Sequence, residues 1–307
     1  MDDPFWLDGA VAVVTGAGNG LGRAESLALA RAGARLVLND LPGDAVQAVA
    51  EEITAAGGEA VVCAGDVGEW ATGQAILASA LDTYGGLNIL VNNAGVLRDR
   101  MIFSMSADEW DLVMRVHLRG HFITTRFATA YWRDRSKELG EPLYARIVNT
   151  SSEAFLLGSA GQPNYAAAKA GIVALTVATA RSCARYGVLA NAICPRARTA
   201  MTAGLMGPTP DGDADPLSPA HVAPLVTYLA SPASARITGE VFVVHGDVAA
   251  VLAPPAVRAS FRADSGGTWS AGALHEAFAP LFLEDPPRPG FACEATLPLA
   301  ASTFGER

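Results

Sequence analysis

A chain of 307 residues, half of them hydrophobic, has material for one large core or two small ones. Its net charge of −9, from 22 basic against 31 acidic residues, argues against a polyanion-binding surface as the main business, so nucleic acid is not an expected partner. No uninterrupted apolar run approaches the roughly 20 residues that span a bilayer, so no membrane contact is expected, and the opening MDDPFWLDGA lacks the pattern of a secretory signal. The four cysteines, Cys63, Cys183, Cys194 and Cys293, show no CxxC spacing, which predicts free thiols in a reducing compartment, the cytoplasm, and no metal site.

In chain order, short apolar runs alternate with longer segments of helical period: AVAVVT (10–15), RLVLND (35–40), AVVCAGD (60–66), NILVNN (88–93), RIVNTSS (146–152), VLANAIC (188–194) and EVFVVHG (240–246). Strands with little in–out alternation suit a parallel sheet covered by helices on both faces. The pattern predicts a single doubly wound α/β domain, residues 1–247, with a seven-stranded parallel sheet. The charged RDRSKELGEP (133–142), with Gly140 and Pro142, reads as a surface excursion before the fifth strand. The Met-, Gly-, Pro- and Asp-rich connection 196–217 reads as a lid. Residues 248–307 form a C-terminal extension whose Phe261, Trp269, Phe278 and Phe282 predict packing, on the domain or on a neighbouring subunit.

The first strand runs into TGAGNGLG, Thr15 to Gly22, followed by an amphipathic helix. Gly16, Gly20 and Gly22, with Asn19 and Leu21 between them, permit a tight turn and a close backbone approach, so that a pyrophosphate can sit at the helix N-terminus, as in Rossmann-like folds. Asp40 ends the second strand 18 residues after Gly22, where a carboxylate can accept both hydroxyls of a ribose. It would repel a 2′-phosphate, and Leu41 offers no cation to hold one, which predicts NAD over NADP.

In PNYAAAKAG (163–171), Tyr165 and Lys169 lie four residues apart in a helical run and share a face. On that spacing alone Tyr165 is either a core ring or a phenol tuned by a neighbouring cation. Together, TGAGNGLG, Asp66-Val67, NNAG (92–95), Ser152, Tyr165 and Lys169 resemble the short-chain dehydrogenase/reductase superfamily over about 240 residues. The resemblance implies that Asp66 and Val67 contact an adenine, and that Asn93, Ala94 and Gly95 lie along the cofactor ribose. It makes Tyr165 the base that takes a hydroxyl proton as hydride leaves, Lys169 the cation beside it and on the nicotinamide ribose, and Ser152, 13 residues before Tyr165, the donor to the substrate oxygen.

Two positions depart from the usual pattern. His117, in MRVHLRGHF, replaces an asparagine thought to act through its backbone carbonyl; it either keeps that catalytic part or is a packed helix histidine. Pro195-Arg196 replaces the usual Pro-Gly, while Thr199 is expected to meet the carboxamide. These departures, with VLRDR (96–100) and PRARTAMT, resemble the (R)-3-hydroxyacyl-CoA dehydrogenase unit of multifunctional β-oxidation enzymes and bacterial relatives that handle 17β-hydroxysteroids. A small-molecule substrate, acyl-CoA or steroid, is implied, with Met201, Leu205 and Met206 over its apolar part and Arg196 and Arg198 on CoA phosphates. A ketoreductase of secondary metabolism and a non-catalytic NAD-binding regulator are the alternatives. Pairing through helices near 107–132 and 163–186, as in the family, implies a homodimer or homotetramer.

Overall fold

The computed structural model describes residues 5–202, 215–263 and 267–283. The first half winds β1 (Val11–Thr15), α1 (Gly20–Arg31), β2 (Arg35–Asn39), α2 (Asp44–Ala55), β3 (Ala60–Val62), α3 (Trp70–Tyr84) and β4 (Ile89–Asn92). The second continues with α4 (Ala107–Met114), a π-helical turn (Arg115–Arg119), α5 (Gly120–Leu139), β5 (Ala145–Thr150), α6 (Ala154–Leu157), α7 (Pro163–Cys183), β6 (Val188–Pro195), α8 (Ala223–Ala230), β7 (Val241–His245), β8 (Val248–Val251) and α9 (Ala271–Leu283).

The strands form one sheet in the order β3-β2-β1-β4-β5-β6-β7-β8, parallel through β7. The order of winding reverses between the parallel neighbours β1 and β4, and the crevice at the C-terminal ends of those strands is where such sheets bind ligands. One face carries Leu29 of α1, Val46 and Ile53 of α2, and Val226 and Leu229 of α8. The other carries Ile76 of α3, Ala128 and Trp132 of α5, and Ala180 of α7. Each fully buried aliphatic side chain contributes about 1.5–3 kcal/mol. Trp132, wholly buried, also donates its indole N–H to the Leu87 carbonyl at 2.7 Å. Gly73 lets α3 lie close on α5, because a Cβ there would overlap the Ile123 side chain.

Three expectations change. The sheet has an eighth strand, antiparallel β8, paired from His245↔Val248 to Phe242↔Val251, so residues 248–251 belong to the sheet and not to an extension. Gly246, with φ of +51°, makes the tight connection possible. The stretch 133–142 is no excursion: α5 runs on to Leu139 and stops at Gly140, whose φ of +75° is a left-handed cap. Its charges sit on the solvent face, with Arg135 and Glu138 paired at 3.1 Å, so composition did not break the helix. The third strand ends at Val62, leaving Asp66 and Val67 in the loop beyond it.

Of the expected lid, residues 203–214, with Leu205 and Met206, lie outside the described residues, as do Cys293 and residues 284–307. The chain divides into two units, one holding the sheet through Leu252 and the other starting at Ala253. Within the second unit, Phe261 meets Phe278 of α9 edge-on, ring centres 5.6 Å apart. Among the described residues no helix is long and apolar enough to cross a membrane.

Candidate active site

A cleft of about 610 Å³ opens along the C-terminal ends of β1, β4, β5 and β6. The glycine turn forms one wall. A Cβ on Gly16 would lie 2.8 Å from the Ala94 Cα, and one on Gly20 would lie 3.0 Å from Thr199, so the backbone here has no room for side chains. Gly22 does not line the cleft; a Cβ there would overlap the Gly16 carbonyl, so its part is to close the turn. The first turn of α1 has no acidic residue and no side-chain cap, which leaves its N–H groups and the positive end of the helix dipole for an anion. Asn19 and Leu21 also line the cleft. These features fit the pyrophosphate of a dinucleotide.

Asn93 braces the glycine turn: its amide donates to the carbonyls of Thr15 and Gly16, both at 3.2 Å. Asp40 lies just past β2, its carboxylate accepting from the backbone N–H of Gly18 and of Leu41, each at 2.8 Å. Asp66 accepts from the Gly68 N–H at 2.8 Å and pairs with Arg115 at 2.7 Å, a partner 49 residues away that no local spacing announces. Val67, Ala94, Gly95, Pro195 and Thr199 complete this part of the lining.

At the other end Ser152, Tyr165 and Lys169 share the cleft with His117. Lys169 is 2% exposed, donates to the Thr150 carbonyl at 2.5 Å and lies 5.3 Å from the centre of the Tyr165 ring. Burial pushes the Lys169 amine down to about 7. Burial pushes the Tyr165 phenol up to about 12, against a hydrogen bond from Ser152 that favours phenolate. His117 sits in the π-helical turn with its ring edge-on to Tyr165, centres 5.2 Å apart, and Nε2 on the Val96 backbone, 2.8 Å from the carbonyl. Burial and the Lys169 charge hold its pKa well below the ordinary value, so the ring is neutral. The ring also fills the space beside Gly95, where a Cβ would overlap it.

A chain of buried polar groups runs beside the cleft: Thr124 donates to Asn92 at 2.6 Å, Asn92 to Asn149 at 2.9 Å, and Asn149 to Thr176 at 2.8 Å. This ties β4, β5, α5 and α7 together behind Tyr165. The N-terminus of α7 is tied to the loop after β4 as well, through Asn164 on the Arg98 carbonyl at 3.0 Å and Gln162 on Asp99 at 3.0 Å. Arg196 and Arg198 both turn onto carboxylates, Glu153 at 2.6 Å and Asp215 at 2.9 Å, which argues against the expectation that they meet a substrate's phosphates.

A glycine turn under an uncapped helix N-terminus at one end of the cleft, and a phenol beside a buried amine at the other, suit an oxidoreductase that works with a dinucleotide. Comparison with known proteins makes the class specific. The short chain dehydrogenase family model matches residues 10–206. The chain is 52% identical over 295 residues to hydroxyacyl-CoA dehydrogenase ChsB1 of Mycobacterium tuberculosis, covering 93% of this chain and 92% of the relative. It is 42% identical over 237 residues to peroxisomal multifunctional enzyme type 2 of Drosophila melanogaster, covering 74% of this chain and 38% of that longer enzyme. A solved short chain dehydrogenase from Mycobacterium avium superposes with a TM-score of 0.82 at 44% identity, over 92% of this chain and 97% of that one. The chain belongs to the short-chain dehydrogenase family and is an oxidoreductase that uses a nicotinamide cofactor.

Proposed function

We propose that the protein is an NAD-linked dehydrogenase that oxidises the secondary hydroxyl of a 3-hydroxyacyl-CoA. The observation that carries this reading is a single cleft with Asp40 near its glycine turn and Ser152, Tyr165 and Lys169 together at its far end. The substrate class follows the relatives named for hydroxyacyl-CoA dehydrogenation. Asp40 favours NAD, since its carboxylate repels a 2′-phosphate.

In this reading the glycine turn and α1 hold the pyrophosphate, Asp40 the adenosine ribose, Asp66 and Val67 the adenine, and Thr199 the carboxamide. The cofactor supplies the hydride acceptor. Ser152 donates to the substrate oxygen, Tyr165 takes the hydroxyl proton, and the Lys169 charge favours phenolate and holds the second ribose. His117 packs the ring of Tyr165 and lends its carbonyl. Among the described cations lining the cleft, Arg115 and Arg196 are paired with carboxylates and Lys169 bonds the Thr150 carbonyl. Arg98, exposed with its guanidinium on the Leu97 carbonyl at 2.6 Å, is the cation we assign to the CoA phosphates. Three free thiols among the described residues suit the cytoplasm.

The test is reduction of NAD and NADP with (R)- and (S)-3-hydroxyacyl-CoAs, matching phosphate-free thioesters, 17β-hydroxysteroids and simple ketones for the reverse reaction. Turnover of one hydroxyacyl-CoA series with NAD is expected, rising with pH as Tyr165 deprotonates and falling by about 10²-fold or more in Tyr165→Phe. Arg98→Gln is expected to raise KM for the CoA ester and leave the phosphate-free thioester unchanged. Tight NADH binding without turnover of any compound would sink the enzymatic reading of this cleft.

A further inference from the structure

Ser152 lies at the point where the sheet ends. Ser151, before it, still bonds across to β6, its N–H on the Ile193 carbonyl at 2.7 Å. Glu153, after it, has left the sheet but is only 5% exposed, and its carboxylate is gripped by Arg196 through two parallel bonds, Nε to Oε2 at 2.6 Å and Nη2 to Oε1 at 2.8 Å. Arg196 in turn is anchored at both ends. Its backbone N–H bonds the Val244 carbonyl at 3.0 Å, continuing the β6–β7 ladder, and its Nη1 lies 3.1 Å from Nε2 of His245, the last residue of β7. The pair is secluded, with side chains 12% and 6% exposed. Among the described residues, His245 and the Cys194 thiol feel the charges of the pair, and Asp247 acts on His245.

We infer that Arg196 is a positioning residue: its forked grip on Glu153, braced by His245, fixes the turn that carries Ser152 and so aims the serine hydroxyl at the substrate oxygen. A glycine at position 196 leaves that turn to backbone bonds and the contact of the Ala154 N–H with the Ser152 hydroxyl at 3.2 Å, with no side-chain anchor on Glu153. With arginine there, three adjacent strand ends are cross-linked at the level of the reacting atoms. The geometry is planar and two-pronged, which lysine cannot reproduce. The same grip neutralises a buried carboxylate next to a hydroxyl that must stabilise negative charge. The inference rests on the proposed role of Ser152.

A buried pair can be replaced by apolar side chains of similar size with little change in stability, which separates positioning from bulk structure. The variant Arg196→Met/Glu153→Leu is measured with the hydroxy substrate that the wild type turns over, alongside Arg196→Lys and Ser152→Ala. Expected in the double variant is a wild-type-like melting curve, NADH affinity within about twofold, KM within about threefold and kcat reduced at least about tenfold, since small misplacements of a reacting group cost that much or more. Arg196→Lys, which keeps charge but loses the fork, should fall between. Wild-type kcat in the double variant overturns the inference. Should the double variant not fold, Arg196→Lys decides: wild-type kcat overturns the grip, and a reduced kcat with unaltered NADH affinity supports it. An unchanged kcat in Ser152→Ala overturns the role of the serine itself and the grip with it, whereas a loss there beside a wild-type double variant overturns the grip alone.

Discussion

Glu25 shows what one residue can carry outside the chemistry. It lies on the buried face of α1, and neither carboxylate oxygen has a partner among the described residues. Burial raises its pKa to about 8 from the ordinary 4.5. The unfolded chain therefore loses this proton near pH 4.5 while the folded one keeps it to about 8, so the native state binds more protons in between and stability falls with rising pH across that window. The loss should amount to a few kcal/mol, flat again above pH 8, and Glu25→Gln should remove the slope. Denaturant unfolding at pH 5 and pH 8 checks it; equal slopes in wild type and variant would contradict the burial argument. At this scale the family resemblance carried by the sequence singled out Ser152, Tyr165 and Lys169, and the structure brings the three into one cleft. The sequence did not reveal Glu153 facing Arg196 or Asp66 facing Arg115, which lie 43 and 49 residues apart and meet only because the fold brings their segments together.

Among the elements, α1 and its glycine turn stand or fall together. Gly22→Ala places a Cβ against the Gly16 carbonyl and must push the start of α1 away from β1. Overpacking of this kind costs about 1–3 kcal/mol, and NADH affinity should fall about tenfold or more as the N–H groups of the first turn leave their positions. Fluorescence titration with NADH reads this, and an unchanged Kd would show that the turn is not the phosphate seat. The limits of composition also appear at this level. The charged stretch 133–142 read as a surface excursion, yet a helix needs only one buried stripe, and Ala128, Trp132 and Ser136 provide it as α5 runs on to Leu139. Apolar β8 was missed for the opposite reason: a four-residue strand leaves too short a pattern to separate from a tail, and its pairing with β7 depends on a turn.

Across the whole molecule, the described residues that line the cleft fall between Gly16 and Thr202, inside the unit that holds the sheet. A chain cut after Leu252 is therefore expected to fold and to bind NADH like the full protein; a large loss of affinity would mean that the extension reaches the cofactor. Apolar period, turn chemistry and helical spacing are local properties of the chain, and they were enough to read the doubly wound parallel sheet, the glycine turn ahead of α1 and the shared face of Tyr165 and Lys169. The folded arrangement was needed to show which guanidiniums are committed to carboxylates, which strand closes the sheet, and that Glu25 is buried without a partner among the described residues. Those outcomes depend on which distant segments the sheet order brings side by side, and on how much water the packing leaves them.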